Sequence, residues 1–208
     1  MFDPNNWFWR NVSRAGDLLG LSLCWIFCSL PLFTAGAATA ALYDAVAHCV
    51  RREERGTFVR YFRSFRDNFL PSLPVTLVFL AVEGLLLWMR SVTYWMAAAG
   101  DGIAGVLFYA DSIFLCIPLA AWLMAVTTLS RFTFRGRDLI VTALKLTIRH
   151  LPTAALVTVI ALAAGFVIRL LIPMGAILPG MAALAASLPL ERLFKRYQEK
   201  ETEQTEHE

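Results

Sequence analysis

The residues that could carry chemistry in this chain are ionisable side chains inside long apolar segments. Glu83, Asp111 and Arg169 each lie within such a segment, where a charged group is costly and is a functional candidate by default. At about 1.5 Å per helical residue, Glu83 and Asp111 fall at similar depths in the outer half of a bilayer, with Arg169 slightly further out. We therefore predict an intramembrane polar cluster of these three residues. It would line an outward-facing cavity or, alternatively, form an ion pair that fixes helix register.

Two other groups of polar residues have simpler interpretations. Asp44 and His48 are one helical turn apart and would pair with each other or with loop arginines. Cys24 and Cys28 share a helix face, but no histidine or carboxylate lies near them in sequence to complete a metal set. A buried cysteine that acts as a small hydrophobe is the interpretation we prefer. We predict no metal site and no cofactor.

No arrangement typical of an active site is present in the sequence. It contains no Gly-rich phosphate loop followed by Lys, no H-E-x-x-H motif, and no Ser or Cys nucleophile with a plausible base. A nucleic-acid role would need a basic folded domain outside the membrane, which the sequence does not offer. We expect a protein that is not an enzyme and does not bind nucleic acid.

The segments that hold these residues are unusually apolar. Of 208 residues, 58% are hydrophobic and 17% are charged, whereas a soluble domain is about 45–50% apolar. The apolar blocks approach the roughly 20 residues that a helix needs to cross a bilayer. We predict an all-α polytopic transmembrane helix bundle that forms a single integral membrane domain over residues 1–200. The polar tail over residues 201–208 is expected to be disordered.

The number of spans depends on Pro31. If it only kinks one long helix, there are five spans and the N-terminus is outside. If residues 31–35 form a hairpin, there are six spans and both termini are cytoplasmic. The positive-inside rule favours six, because that layout keeps Arg10 and Arg14 inside. The six spans cover approximately residues 15–30, 35–50, 70–89, 104–129, 151–172 and 174–190.

The second and third spans have distinctive sequences. Residues 35–50 are rich in small side chains, which predicts packing among other helices rather than against lipid. Pro71 and Pro74 are placed in the first turns of the third span, where proline is tolerated best. Residues 18–33 could pass as a signal-peptide core, but we expect them to be retained because a long segment with acidic residues precedes them.

A basic aromatic segment precedes the third span. Residues 51–69 contain six arginines, and their phenylalanines recur at helical spacing. This pattern predicts an amphipathic helix that lies flat at the cytoplasmic face, and residues 131–150 form a second basic segment. The first segment is either an ordinary interfacial anchor or a docking surface for a partner protein. The predicted partner-binding residues are Phe58, Arg60, Phe62, Arg63 and Phe65.

Four short motifs carry a family resemblance. They are the Pro31-x-x-Thr34-x-Gly36 turn, Ala40-Ala-Leu-Tyr43, the Phe62-Arg-Ser-Phe65-Arg-Asp-Asn68-Phe69 run and Arg149-His-Leu-Pro152. With these motifs the chain resembles the YesL-like family of bacterial multi-span proteins, long filed as a domain of unknown function. The resemblance implies a bacterial plasma-membrane protein whose genes tend to accompany carbohydrate-uptake ABC permeases. The family has no settled catalytic or ligand residues to carry over.

The resulting expectation is a non-catalytic accessory or scaffold subunit of a bacterial carbohydrate (oligosaccharide) ABC importer. Its partners would be the permease subunits of the ABC transporter and the lipid bilayer. It would be a multi-pass plasma-membrane protein with cytoplasmic N- and C-termini. The alternative is an independent small-solute transporter or channel that uses Glu83, Asp111 and Arg169. A membrane sensor is disfavoured, because no extracellular segment is large enough to bind a glycan.

Overall fold

The computed structural model describes residues 7–50, 56–130, 137–170 and 178–205, and apart from short turns these residues are helical. The all-α prediction is therefore confirmed for these ranges, in which no strand is present. The α-helices are α1 (Trp7–Ser29), α2 (Ala35–Ala45), α3 (Thr57–Ala98), α4 (Gly102–Phe114), α5 (Cys116–Leu129), α6 (Arg137–Arg149), α7 (Leu151–Leu170) and α8 (Leu178–Thr205). Side chains are described over residues 13–49, 56–130, 141–142, 144–167 and 178–191.

Helices α1 and α2 form an antiparallel hairpin around Pro31. A 3₁₀ turn, Leu32–Thr34, joins them, and the Thr34 hydroxyl lies 2.6 Å from the Pro31 carbonyl oxygen. Across the pair, the Trp25 indole N–H donates to the Thr39 hydroxyl at 3.1 Å. This geometry is the hairpin that the six-span layout requires, and a single kinked helix is not observed.

Helix α2 lies at the centre of the fold. Nine of its eleven residues are buried, and it contacts α1, α3, α5 and α8. Small side chains allow these close approaches, because the Cα of Gly36 lies directly against Ser72 and Thr76 of α3. The prediction that the small-residue segment packs among other helices is confirmed. A π-helical turn, Val46–Val50, follows α2.

Helix α3 is one continuous element of 42 residues, roughly 63 Å long at 1.5 Å per residue. The sequence predicts a separate surface helix before the third span, but the described part of that segment continues directly into the span. Pro71 and Pro74 consequently lie in the interior of α3 and not in its first turns. Packing against α2 on both sides of the prolines explains this continuity, because tertiary contacts override the local preference for a break.

The two halves of α3 have different neighbours. Residues 57–76 lie along α2, whereas the second half runs antiparallel to α4 and α5. Phe79 stacks on Trp122 of α5 with ring centroids 4.9 Å apart, and Tyr94 contacts Phe108 of α4 at 5.9 Å. The α4–α5 segment then leads back toward the α2 end of α3, where Met124 packs in a core with residues of α2, α6, α7 and α8.

Two stretches of the described chain are long and apolar enough to cross a membrane. They are Thr57–Ala98 and the nearly continuous Gly102–Leu129, and Leu151–Val167 is a shorter apolar helix. Only 17% of the apolar window in the first stretch and 39% in the second are buried within the protein. The architecture is therefore compatible with a helical membrane bundle.

The C-terminal segment differs in part from the sequence-based expectation. Helix α8 continues to Thr205, so residues 201–205 of the tail predicted to be disordered are helical. Residues 206–208 lie outside the described residues, as do residues 171–177, where the turn between the fifth and sixth spans is predicted.

Candidate functional site

The predicted polar cluster is only partly visible in the described residues. Glu83 lies on α3 with its Oε2 atom buried and without a hydrogen-bond partner among the described residues. Asp111 of α4 accepts a hydrogen bond from the Thr93 hydroxyl at 3.2 Å. Thr93 is ten residues beyond Glu83, about 15 Å along the helix, so the two carboxylates sit at different levels of the same helix pair. The Arg169 side chain lies outside the described residues, and the three-residue cluster stays a prediction.

A second polar group ties α3 to α4 near Asp111. The Arg90 guanidinium donates from Nη1 to the Ser112 hydroxyl at 2.6 Å. Its Cζ atom also lies 4.5 Å from the centre of the Phe108 ring, a cation–π geometry. Both contacts satisfy a cation within apolar surroundings, so this arginine has a structural role in the helix pair.

The five residues predicted to bind a partner divide into two groups. Phe58, Phe62 and Arg63 are exposed on the first half of α3. Arg60 is bonded to α2, and Phe65 packs beside Tyr61 in the core with a ring separation of 6.5 Å. The exposed residues continue along one side of α3, and we call this surface the basic-aromatic stripe. Its members are Phe58, Val59, Phe62, Arg63 and Arg66.

Arg60 belongs to a buried charge cluster with Asp44 and His48. Its Nε atom lies 2.9 Å from Asp44 Oδ2, and His48 Nδ1 lies 3.1 Å from Asp44 Oδ1. The pairing of Asp44 with His48 and with an arginine is therefore confirmed. Arg60 follows Asp44 by 16 residues, so the particular arginine could not be read from the sequence. The cluster joins the C-terminal end of α2 to α3, so its role is structural.

An apolar cavity of about 230 Å³ lies between α1, α2, α5, α7 and α8. The indole rings of Trp25 and Trp122 contribute to its wall, as does Thr39. Alanine and glycine residues of α7 and α8 form the opposite side. They are Ala161, Ala164, Gly165, Ala182, Ala183 and Ala186. Neither Glu83 nor Asp111 lines this cavity. The sequence analysis missed it, although small residues repeat at helical spacing on both helices.

No group of three His, Cys, Asp or Glu side chains in the described residues is arranged to hold a metal ion. The four cysteines are free thiols, of which Cys49 is buried and Cys24, Cys28 and Cys116 are half-buried. Cys24 and Cys28 pack beside the core formed by α1, α2 and Tyr61. Their surroundings match the role of small hydrophobic side chains.

In a comparison with known families, one family model matches part of the chain. A family model described as "Protein of unknown function, DUF624" matches residues 18–89, about a third of the chain. This family is the YesL-like family. The matched residues comprise most of α1, the hairpin, α2 and α3 as far as Met89, which is the part of the fold built around the buried α2. No curated protein and no solved structure matches the chain.

Proposed function

We propose that this protein is a non-catalytic accessory subunit of a bacterial carbohydrate ABC importer, embedded in the plasma membrane. It contacts the permease through the basic-aromatic stripe of α3. Its role is to stabilise or adapt the permease, and it performs no chemistry of its own. Both termini and the stripe face the cytoplasm in this proposal.

Exposed apolar side chains support the membrane location. On the second half of α3 and on α4, Trp88, Ile103 and Tyr109 are 65%, 75% and 72% exposed. Soluble monomers rarely expose contiguous apolar patches of more than a few hundred Å². A surrounding bilayer removes the free-energy cost of exposing these side chains to water, because lipid tails are themselves apolar. The arginines of the stripe then belong on the cytoplasmic side.

The stripe is the observation that carries the partner proposal. Phe58 and Phe62 expose 43% and 52% of their surfaces beside Arg63 and Arg66, which are also exposed. Aromatic residues and arginine are enriched at protein interfaces and dominate their binding energy. The same stripe would also suit a lipid headgroup layer, which is its competing role. The two roles are therefore distinguished by isolating the protein together with any partner that it binds.

The resemblance to the YesL-like family is what supports a carbohydrate importer as the partner. Genes of that family tend to accompany carbohydrate-uptake permeases, and the family model covers the part of α3 that carries the stripe. The proposed contact uses only residues inside the matched region, since the stripe ends at Arg66.

The test is co-purification of the tagged protein from native membranes in a mild detergent, followed by mass spectrometry. We expect permease peptides to be enriched with the wild-type protein. Because two adjacent interface residues are removed, Phe62→Ala/Arg63→Ala should lower permease recovery about tenfold or more. The matched control, Phe114→Ala/Lys145→Ala, removes an exposed phenylalanine and an exposed cation elsewhere and should leave recovery unchanged. Recovery of a free monomer alone contradicts the proposal.

Glu83 favours one alternative, an independent small-solute transporter or channel. A carboxylate oxygen that is buried in an apolar helix, with no hydrogen-bond partner in the part of the chain that the structure describes, is costly and is typical of transport pathways. Solute flux into liposomes that contain only this protein would favour the alternative. Glu83→Gln should then abolish flux, whereas Gly84→Ala, at the next position on the helix, should not.

A further inference from the structure

The cavity between α1, α2, α5, α7 and α8 has the properties of a binding site for a hydrocarbon chain. Its volume, about 230 Å³, exceeds the roughly 150 Å³ of an apolar protein cavity that is known to bind benzene. Seventeen of the described residues line it, and none of these is charged. Its size and lining therefore suit an apolar ligand.

Four of the polar side chains in the cavity wall, those of Trp25, Thr39, Trp122 and Thr127, already have hydrogen-bond partners. The Trp25 indole N–H donates to the Thr39 hydroxyl, and the Thr127 hydroxyl donates to the Leu123 carbonyl at 2.9 Å. The Trp122 indole N–H points to the Thr76 hydroxyl at 3.5 Å. A polar ligand would lose its hydrogen bonds to water and gain few in return. This distribution of donors and acceptors selects against sugars and ions and in favour of hydrocarbon.

The cavity is produced by a pattern of small residues on two helices. Ala161, Ala164 and Gly165 of α7 face Ala182, Ala183 and Ala186 of α8, where larger side chains would fill the space. An empty cavity destabilises a fold in proportion to its volume, so an occupant stabilises it. Gly165 is exposed as well as lining the cavity, which therefore reaches the molecular surface at α7. A chain can enter there from the side.

We propose that this cavity binds a single hydrocarbon chain, inserted past Gly165 so that its end lies between the rings of Trp25 and Trp122. The chain belongs to a membrane phospholipid or to a free fatty acid, which share this chemistry. The site is distinct from the basic-aromatic stripe, and its occupation does not depend on the proposed partnership with a permease.

Tryptophan fluorescence can test this directly, because two of the six tryptophans line the cavity. A full-length variant that carries Trp7→Phe, Trp9→Phe, Trp88→Phe and Trp95→Phe retains only Trp25 and Trp122. The purified protein in detergent is titrated with stearic acid brominated in mid-chain and, separately, with a phosphatidylcholine that carries the same brominated chain. Bromine quenches indole emission at contact distance. We expect saturable quenching by at least one of these probes, and the probe that acts identifies the source of the chain.

A matched pair of substitutions separates the cavity from general contact with detergent. Ala164→Phe fills the cavity, whereas Ala163→Phe places the same ring at an exposed position of α7. The first should remove the saturable quenching and the second should retain it. Ala183→Phe fills the cavity from α8 and repeats the test should Ala164→Phe fail to fold. Quenching that is absent, linear in probe, or equal in the cavity-filling and exposed variants overturns the proposal.

Discussion

The Arg60 guanidinium donates two hydrogen bonds to the Asp44 carboxylate, from Nε to Oδ2 at 2.9 Å and from Nη2 to Oδ1 at 3.1 Å. This two-pronged geometry is the strongest form of such a pair. The Asp44 side chain is 10% exposed and that of Arg60 is 34% exposed. The pair locks the end of α2 to the beginning of α3, and it withdraws Arg60 from the surface that a partner could contact.

Removing Arg60 should destabilise the protein far more than removing a neighbouring arginine. Arg60→Gln leaves a buried carboxylate without its main partner, which typically costs about 2–4 kcal/mol for a pair that is not fully enclosed. Arg63→Gln is the matched control on the same helix, and its exposed side chain should cost less than about 0.5 kcal/mol. Unfolding in detergent, followed by circular dichroism, measures both. Equal losses in the two variants would refute a structural role for the pair.

The contact between α2 and α3 predicts opposite effects for two glycine substitutions. A Cβ at Gly36 would collide with the Thr76 hydroxyl and lie 3.2 Å from Ser72 Cβ, so Gly36→Ala should cost about 1–3 kcal/mol. A Cβ added at Gly84 would meet no atom of another residue of the described chain within 4 Å beyond its own helix backbone, so Gly84→Ala should be neutral or stabilise α3 by up to about 1 kcal/mol. Thermal unfolding compares them. Adding Thr76→Ala should restore part of the loss caused by Gly36→Ala, and a purely additive double variant would argue against the collision.

The sequence predicts those parts of the fold for which the residues of one segment are sufficient evidence. Pro31 alone allows a kink or a hairpin, and the positive-inside rule favours the hairpin. The burial of α2 follows from its alanines and glycines. The continuity of α3 could not be predicted, because Pro71 and Pro74 signal a break locally. The helix continues through the two prolines because α3 packs against α2, and no local sequence pattern predicts that packing.

Predictions of site residues are limited by register between helices. Depths counted from predicted span ends place Glu83 and Asp111 together, but α3 extends to Ala98 and pairs Asp111 with Thr93. Such a shift of one helix along its neighbour changes which residues face each other by whole helical turns. The hydropathy of the sequence does not reveal the shift. The cavity is harder still to foresee, since its walls come from five helices and only their packing shows that small residues face one another.

A hydroxyl at Ser22 should prove important for docking of α8. The Gly180 N–H, which has no partner within the first turn of α8, donates to Ser22 Oγ at 2.9 Å, and Ser22 donates to the Leu18 carbonyl at 2.8 Å. Ser22→Ala leaves this buried N–H unpaired, at a cost of about 1–3 kcal/mol. Ser91→Ala is the control, because Ser91 is exposed and its hydroxyl donates to the Trp88 carbonyl of its own helix at 2.7 Å. Ser22→Ala should lower the unfolding midpoint and Ser91→Ala should not. Identical midpoints would contradict the interhelical bond.

The proposed orientation in the membrane predicts which ends of α3 react with reagents outside the cell. Arg66 is 82% exposed near the beginning of α3, and Ala99 is exposed just after its end. The positive-inside rule places the arginine-rich beginning in the cytoplasm. With a membrane-impermeant maleimide, Ala99→Cys should be labelled on intact cells, whereas Arg66→Cys should be labelled only after permeabilisation. The unsubstituted protein gives the background, because its four thiols are buried or half-buried. Labelling of Arg66→Cys on intact cells would reverse the orientation and remove the stripe from the side where a cytoplasmic interface is proposed.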